Sequence, residues 1–340
     1  MRVTRESLIR IARETAQQRA YDNRDLIAAY LTGSLLTQEP MLGGATDIDL
    51  VFVHTEQPAL QREIVKLTPD FHIDITHRTK DEFKSPRELR GDPWLGYELY
   101  DPMLLYEREK FFEFVQASLR AGFEFEQAPL VLQRSRSLYT RARKGWADLS
   151  DLGEKAAPKE VKGYLEAVYW AANGIAELSG PPIPERRLLL EFPARAEAVQ
   201  RPGLSTGLLG LLGALQLQPE KIDRWLSDWK NAFTSACQDA DVDARIHPAR
   251  LNYYEKAIQS MLGGEIPIAA LWPLIHTWTL AASALEGEQL KLWRAAFGDL
   301  ELVGAPLAER VQGLDHYLDE LDLLLDEFAV ANGLETSTSL

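Results

Sequence analysis

Residues 30–50 read YLTGSLLTQEPMLGGATDIDL, and the predicted architecture of the chain is organised around them. This stretch opens inside an apolar run, LIAAYL, which ends at Gly33-Ser34. Pro40 and the glycine pair that follows it are turn formers, whereas residues 46–53 are apolar around two aspartates. We therefore predict a strand, a loop and a second strand in this order.

Three acidic residues stand inside strands that are otherwise aliphatic. Asp47 and Asp49 are two residues apart, so on a strand they project from the same face. Asp74 lies in FHIDIT, residues 71–76, whose strict alternation is typical of a strand. Because carboxylates among aliphatic side chains need partners, the three acids indicate a metal site rather than solvated strand edges.

The rest of the first 120 residues predicts further helices and strands. An amphipathic pattern covers residues 4–20, and the LLY sequence at 104–106 is predicted as the last strand. Residues 58–66 are predicted as a short helix, and residues 80–90 as a helix or a charged loop.

Beyond residue 121 only helical periodicity remains. Apolar positions that step by four and three form a stripe at Val161, Leu165, Val168, Ala172 and Ile175. The predicted helices cover residues 129–148, 158–178, 219–237, 248–262, 266–285 and 306–328. We therefore predict an α+β protein with a small mixed β-sheet domain at 1–120, an all-α helical-bundle domain at 121–334 and a disordered tail at 335–340.

Composition narrows the classes of function. The net charge is −14, with 16 basic and 22 acidic side chains up to Leu130 and 21 against 29 beyond it. Proteins that grip nucleic acid usually carry a basic face, so this balance disfavours a nucleic-acid partner and favours small or cationic acceptors. A single cysteine, Cys237, excludes a disulfide framework. The charged N-terminus and the lack of a long apolar run predict a cytoplasmic protein without a membrane span.

The acids fit the chemistry of transferring a nucleotide from a triphosphate to a hydroxyl. This reaction is an in-line displacement at phosphorus, in which positioning and cations do most of the catalysis. Two divalent metals about 3.5–4 Å apart can hold the attacking and the leaving oxygen. On this hypothesis Asp47 and Asp49 share the metals, and Asp74 completes one site and accepts the hydroxyl proton. Gly33 allows close approach to phosphate, and Ser34 begins a helix whose free N–H groups favour it.

These residues resemble the signature of the DNA polymerase β-like nucleotidyltransferase superfamily. TGS, TDIDLVF and HIDIT stand in the expected order, and the resemblance covers about the first 118 residues. It implies that Gly33 and Ser34 hold the nucleotide phosphates, and that Asp47, Asp49 and Asp74 are metal-binding and catalytic. It also implies two Mg²⁺ ions and ATP or another NTP as the donor. The helical second domain is similar in architecture to that of the small bacterial aminoglycoside nucleotidyltransferases, where such a domain helps to hold the acceptor.

Other polar residues have both a functional and a structural interpretation. Glu98 is either an extra base or a surface acid, and His72 either orients Asp74 or is a satisfied surface histidine; His54 and His77 also lie nearby in sequence. A basic run is either a triphosphate clamp or a solvated helix face: Arg134, Arg136, Arg141, Arg143 and Lys144. A polar stripe is either an acceptor surface or a packing interface: Glu166, Trp170, Asn173 and Glu177.

Three hypotheses about function stay open at this point. The first is transfer of AMP to a small-molecule hydroxyl, for which an aminoglycoside-like compound is one candidate. The second keeps the chemistry but modifies a protein side chain, as AMPylating antitoxins do, or makes a nucleotide signal. The third is a non-catalytic nucleotide sensor, which the three intact acids count against. The sequence does not decide the base preference, the acceptor or the oligomeric state.

Overall fold

The computed structural model describes most of the chain, namely residues 3–121, 126–149, 157–239 and 241–336. The chain divides into two compact units: Met1–Phe125 with Glu255–Ala257, and Glu126–Tyr254 with Ile258–Leu340. We call them the sheet unit and the helical unit. The predicted disordered tail lies outside the described residues from position 337 onward. The catalytic and acceptor-binding roles that the sequence assigns to the two parts remain predictions.

The sheet unit is a five-stranded sheet with helices packed on it. Its elements are α1 (Arg5–Asp22), β1 (Leu26–Thr32), β2 (Thr46–His54), β3 (Arg62–Lys66), β4 (Phe71–Thr79), α2 (Pro86–Gly91), α3 (Leu95–Tyr100), β5 (Met103–Glu107) and α4 (Phe111–Arg120). The strands lie in the order β3-β4-β2-β1-β5. Strands β2 and β4 are parallel, whereas the other neighbours are antiparallel. The sheet is therefore mixed, as predicted.

The two-residue period of β2 divides its side chains between two cores. Ile48, Leu50 and Phe52 pack on the face that α1 covers. Val51 and Val53 pack on the opposite face with residues of α2, α3 and α4. Since Asp47 and Asp49 share the parity of Val51 and Val53, they project from the face that carries the three short helices.

Residues 62–66 correct the prediction of a helix in this region. They form an edge strand that pairs antiparallel with β4, and Ile64 lies opposite Asp74. The β-branched pair Ile64-Val65 fits a pleated strand better than a helix, because branched side chains lose rotamer freedom on a helix. The correction matters for function because this strand brings Arg62 next to the acids.

The helical unit has no strand among its described residues. Its helices are α5 (Ala128–Ala147), α6 (Pro158–Ala176), α7 (Leu188–Ala198), α8 (Gly203–Leu211), α9 (Pro219–Ala236), α10 (Leu251–Leu262), α11 (Leu271–Ala282), α12 (Gly287–Asp299) and α13 (Pro306–Ala331). The stripe predicted on α6 is fully buried. An α+β protein with a small mixed sheet followed by a helical region is therefore confirmed. Among the described helices, none is both long enough and apolar enough to cross a bilayer.

Candidate functional site

The register between β2 and β4 determines how the acidic residues meet. Asp47 lies opposite His72, and Asp49 lies opposite Asp74. Partners on neighbouring strands of a sheet project from the same face, so all four side chains share one face. The aliphatic residues between them, Ile48 and Ile73 among them, pack on the other face.

Three of these side chains lie close enough to share an ion. One ligand atom each from Asp47, His72 and Asp74 lies within 4.8 Å of the other two. The three residues are 5%, 0% and 3% exposed, whereas Asp49 is half-buried. The structure therefore brings Asp47 and Asp74 together as the sequence predicted, and it adds His72 to them. What each residue does there remains a prediction.

Gly33 lies directly against the carboxylate of Asp49. A Cβ atom built on Gly33 would stand 2.0 Å from Oδ2 of Asp49, far inside van der Waals contact. The backbone of Gly33 has φ 76° and ψ −157°, a region that is essentially restricted to glycine. A glycine is therefore required at position 33 for two reasons: the backbone conformation and the close approach of the Asp49 carboxylate.

Ser34 sits at the same junction, but the helix that it begins is very short. A single 3₁₀ turn covers Ser34–Leu36, so a helical turn begins at Ser34 as predicted, and whether its N–H groups bind phosphate remains a prediction. The Ser34 hydroxyl shares a 2.8 Å hydrogen bond with the hydroxyl of Thr46, which is fully buried at the start of β2. This bond ties the Gly-Ser turn to the strand that carries Asp47 and Asp49.

Arg62 is the main site residue that sequence reasoning missed. Its Nε and Nη2 donate to Oδ1 and Oδ2 of Asp74, both at 2.7 Å. Such a bidentate pair fixes the plane of the carboxylate. No pattern in the sequence pairs these two residues, because the contact follows from β3 being an edge strand. The β-branched pair Ile64-Val65, which follows Arg62 after one residue, was the only local indication of a strand here.

Arg62 also lines a cavity within the sheet unit. The cavity measures about 400 Å³, and its lining is predominantly polar: Gln57, Pro58, Gln61, Arg62, Thr76, His77, Arg78 and Glu82. A space of this size accommodates a small molecule. The two arginines and one glutamate give the lining no excess of acidic groups.

Glu98 has a structural explanation. It accepts a 2.7 Å hydrogen bond from the hydroxyl of Tyr30 and a 3.4 Å bond from Nη2 of Arg78. Burial, together with the adjacent Glu98 carboxylate, raises the pKa of Tyr30 well above its usual value. The neutral phenol is therefore the donor, and Glu98 links α3 to β1 and β4.

His54 and His77 belong to the opposite face of the sheet from the acids. They share a 2.9 Å hydrogen bond between Nε2 of His54 and Nδ1 of His77. Burial lowers the pKa of both imidazoles, which keeps them neutral at neutral pH. Since alternate residues of β4 face opposite sides, His72 points to the site while His77 does not.

Most residues of the basic run and of the polar stripe make contacts within the helical unit. Arg134 and Glu177 form an ion pair in which both side chains are 0% exposed. Arg136 and Arg143 pair with acids of α13, and Arg141 lies over the Trp170 ring at 5.5 Å. Asn173 accepts a 2.6 Å bond from the Ile183 amide, and Glu166 lies 3.8 Å from the Lys162 ammonium. These contacts give most residues of the basic run and of the polar stripe a structural role.

The donor set fits divalent cations. Three carboxylates share this face of the sheet, and Arg62 compensates the charge of one of them, Asp74. Carboxylate oxygens are the protein ligands that Mg²⁺ prefers, and buried like charges favour an ion that compensates them. Asp47, His72 and Asp74 are therefore able, as a group, to hold a divalent metal, and a part for Asp49 in this site remains a prediction.

Comparisons with known proteins do not assign a family. No family model matches the chain, and no curated protein matches it. A solved structure with some similarity is a nucleotidyltransferase-like protein from Exiguobacterium sibiricum 255-15, at 12% identity and a TM-score of 0.30, over 86% of this chain and 89% of that chain. This likeness is too weak to support a conclusion about function, which has to come from the site.

Proposed function

We propose that this chain is a metal-dependent nucleotidyltransferase that moves a nucleoside monophosphate from an NTP to a hydroxyl group, with ATP as the first candidate donor. The observation that supports the proposal is the meeting of Asp47 and Asp74 within 4.8 Å on the face that also carries Asp49. Phosphoryl chemistry needs such clustered carboxylates, because cations held by them neutralise the charge that develops on the phosphate oxygens.

Each residue has a role in this proposal. Asp47, Asp49 and Asp74 would hold two divalent cations, for which the sequence predicts Mg²⁺, and these ions would supply charge neutralisation when bound. Asp74 would accept the proton of the attacking hydroxyl, and Arg62 holds its carboxylate in a fixed plane. Gly33 and Ser34 would border the triphosphate, and the Ser34–Thr46 hydrogen bond keeps their turn close to Asp49.

The acceptor in this proposal is a small polar molecule. Supporting it is the cavity beside Arg62, which is large enough for such a molecule and is lined with amide, hydroxyl and guanidinium groups. Its lining lacks the acidic excess that a polycation would require. This favours a neutral or anionic acceptor over an aminoglycoside-like one.

The test is a transfer assay with the full chain. The protein is incubated with each of the common NTPs, Mg²⁺ and a panel of neutral, anionic and cationic hydroxyl compounds, while pyrophosphate release is followed. We expect acceptor-dependent release, and mass spectrometry of the products identifies the modified compound. An adduct on the protein, or an oligonucleotide, would instead support AMPylation or signal synthesis. Binding of nucleotide and metal without any release would favour the sensor hypothesis.

Gly33→Ala tests the close approach of the Gly-Ser turn to Asp49. The new methyl group would displace the Asp49 carboxylate and force a residue with a Cβ into a glycine-only backbone region. We expect kcat/KM to fall about 100-fold, as a displacement near 1 Å does at a reacting centre. We expect unfolding free energy, measured in urea, to fall by about 1–3 kcal/mol.

Gly44→Ala is the matched control in the same loop. Gly44 also has a positive φ, 78°, but a Cβ built on it meets nothing within 4 Å. The Gly44→Ala variant therefore carries the backbone strain without a steric clash, and we expect its kcat/KM to stay close to that of the wild type. Equal loss of activity in both variants would contradict a specific role for the contact between Gly33 and Asp49.

A further inference from the structure

His72 is placed among the acids in a way that the proposed chemistry does not explain. The imidazole is fully buried, and one of its ring nitrogens lies within 4.8 Å of carboxylate oxygens of both Asp47 and Asp74. Its strand position, opposite Asp47 and two residues before Asp74, fixes its direction toward them. Burying a polar ring costs free energy, so its position among two carboxylates calls for a physical reason.

The separations suit one shared ion. Nitrogen and oxygen ligands bind first-row metals at about 2.0–2.2 Å, so two ligands on opposite sides of an ion are about 4.4 Å apart at most. Three donors cannot all lie opposite one another, and three spread evenly around one ion are about 3.6 Å apart, so donor atoms within 4.8 Å of one another have to close by about 1 Å. Side-chain rotation on two hydrogen-bonded strands can supply that movement without a change in the sheet.

The bidentate contact with Arg62 is compatible with such an ion. Each Asp74 oxygen accepts one hydrogen bond from Arg62, and because an ionised carboxylate has about four acceptor sites, this pair does not by itself exclude a metal. The guanidinium also fixes the carboxylate in one orientation, as hydrogen bonds behind metal ligands commonly do. Arg62 thus acts as a positioning residue behind Asp74.

We propose that Asp47, His72 and Asp74 together form a site for a first-row transition-metal ion, with a ring nitrogen of His72 as the third ligand. The proposal rests on the proposed function, because it specifies one of the two cations that the transferase would use. Mg²⁺ prefers all-oxygen surroundings, whereas a neutral imidazole suits Mn²⁺, Co²⁺ and their neighbours in the series. The site therefore selects Mn²⁺ or Co²⁺ over Mg²⁺ in the absence of nucleotide.

Pulsed electron paramagnetic resonance of the Mn²⁺-loaded full chain tests the ligation directly. Chelator-treated protein receives Mn²⁺ alone, without NTP or acceptor. We expect hyperfine coupling to an imidazole nitrogen. A spectrum without nitrogen coupling overturns the proposal, and this readout needs neither a variant nor activity.

Metal titrations measure the selectivity. By calorimetry we expect Mn²⁺ to bind at least about ten times more tightly than Mg²⁺. His72→Asn should lower Mn²⁺ affinity about 10–100-fold, in the range seen when metal sites lose supporting groups, and leave Mg²⁺ affinity almost unchanged. His72→Asp, which restores an oxygen ligand, should shift the preference toward Mg²⁺. Equal Mn²⁺ affinity in wild type and His72→Asn overturns the proposal.

His54→Asn is the matched control. His54 lies on β2 and is buried like His72 of β4, but its side chain faces the opposite side of the sheet. The variant should keep wild-type Mn²⁺ affinity. The outcomes separate the two proposals. NTP-dependent transfer without nitrogen ligation removes this inference alone, and nitrogen-ligated Mn²⁺ in a protein that transfers nothing removes the proposed function alone.

Discussion

Asp49→Asn should lower kcat/KM for nucleotide transfer by at least about 1000-fold while the protein stays folded. The substitution keeps the shape of the side chain but removes one of the three charges that would hold the cations. Metal ions stabilise phosphoryl transition states by several kcal/mol, and each 1.4 kcal/mol is a factor of ten in rate. Steady-state kinetics on the purified variant, with Mg²⁺ or Mn²⁺ present, measure the loss.

The stability of the metal-free variant separates loss of chemistry from loss of fold. Asp49 is half-buried and lies opposite Asp74 on the neighbouring strand, so removing its charge adds no repulsion, and the thermal unfolding temperature should be unchanged or slightly higher. Asp81→Asn, an exposed acid on the turn after β4, is the control and should behave as wild type. If Asp49→Asn kept more than a tenth of the activity, the role assigned to Asp49 would be wrong.

Substitution of Asp74 is harder to interpret than substitution of Asp49, because it changes two interactions at once. The sequence alone does not distinguish the three acids in this respect. Substituting Asp74 removes the partner of Arg62 as well as a metal ligand. The Arg62 side chain is 40% exposed, so water can solvate the freed guanidinium. The cost is therefore nearer the roughly 1 kcal/mol of a surface pair than the 3–5 kcal/mol of a fully buried one.

The sequence predicts the centre of the sheet unit well because short-range rules decide it. Alternation in FHIDIT and the spacing of Asp47 and Asp49 determine which side chains share a face. Alternation does not determine the direction of pairing, so the parallel register between β2 and β4 is known only from the structure. The approach of Gly33 to Asp49 depends on a backbone conformation that residue type allows but does not dictate.

What the sequence misses depends on contacts between distant segments or on weak local preference. The pairing of Arg62 with Asp74 requires the edge strand β3, whose five residues carry too little pattern to separate strand from helix. Helix α8 contains three glycines, and α7 contains Pro193 inside it, both of which lower helix propensity. These helices form because the surrounding core buries their leucines, a tertiary effect that propensity alone cannot show.

Arg134→Met should lower the unfolding free energy of the helical unit by about 3–5 kcal/mol, because it leaves the carboxylate of Glu177 buried without its cation. That is a large fraction of the roughly 5–15 kcal/mol that stabilises a typical domain. Urea unfolding followed by helical circular dichroism measures it. The double variant Arg134→Met with Glu177→Met removes both charges, so we expect it to recover wild-type stability or to exceed it.

The same double variant also tests the hypothesis that the basic run is a triphosphate clamp. If Arg134 held the triphosphate, the stable double variant would show a raised KM for the NTP. Because both side chains are completely buried against each other, we expect KM to be unchanged.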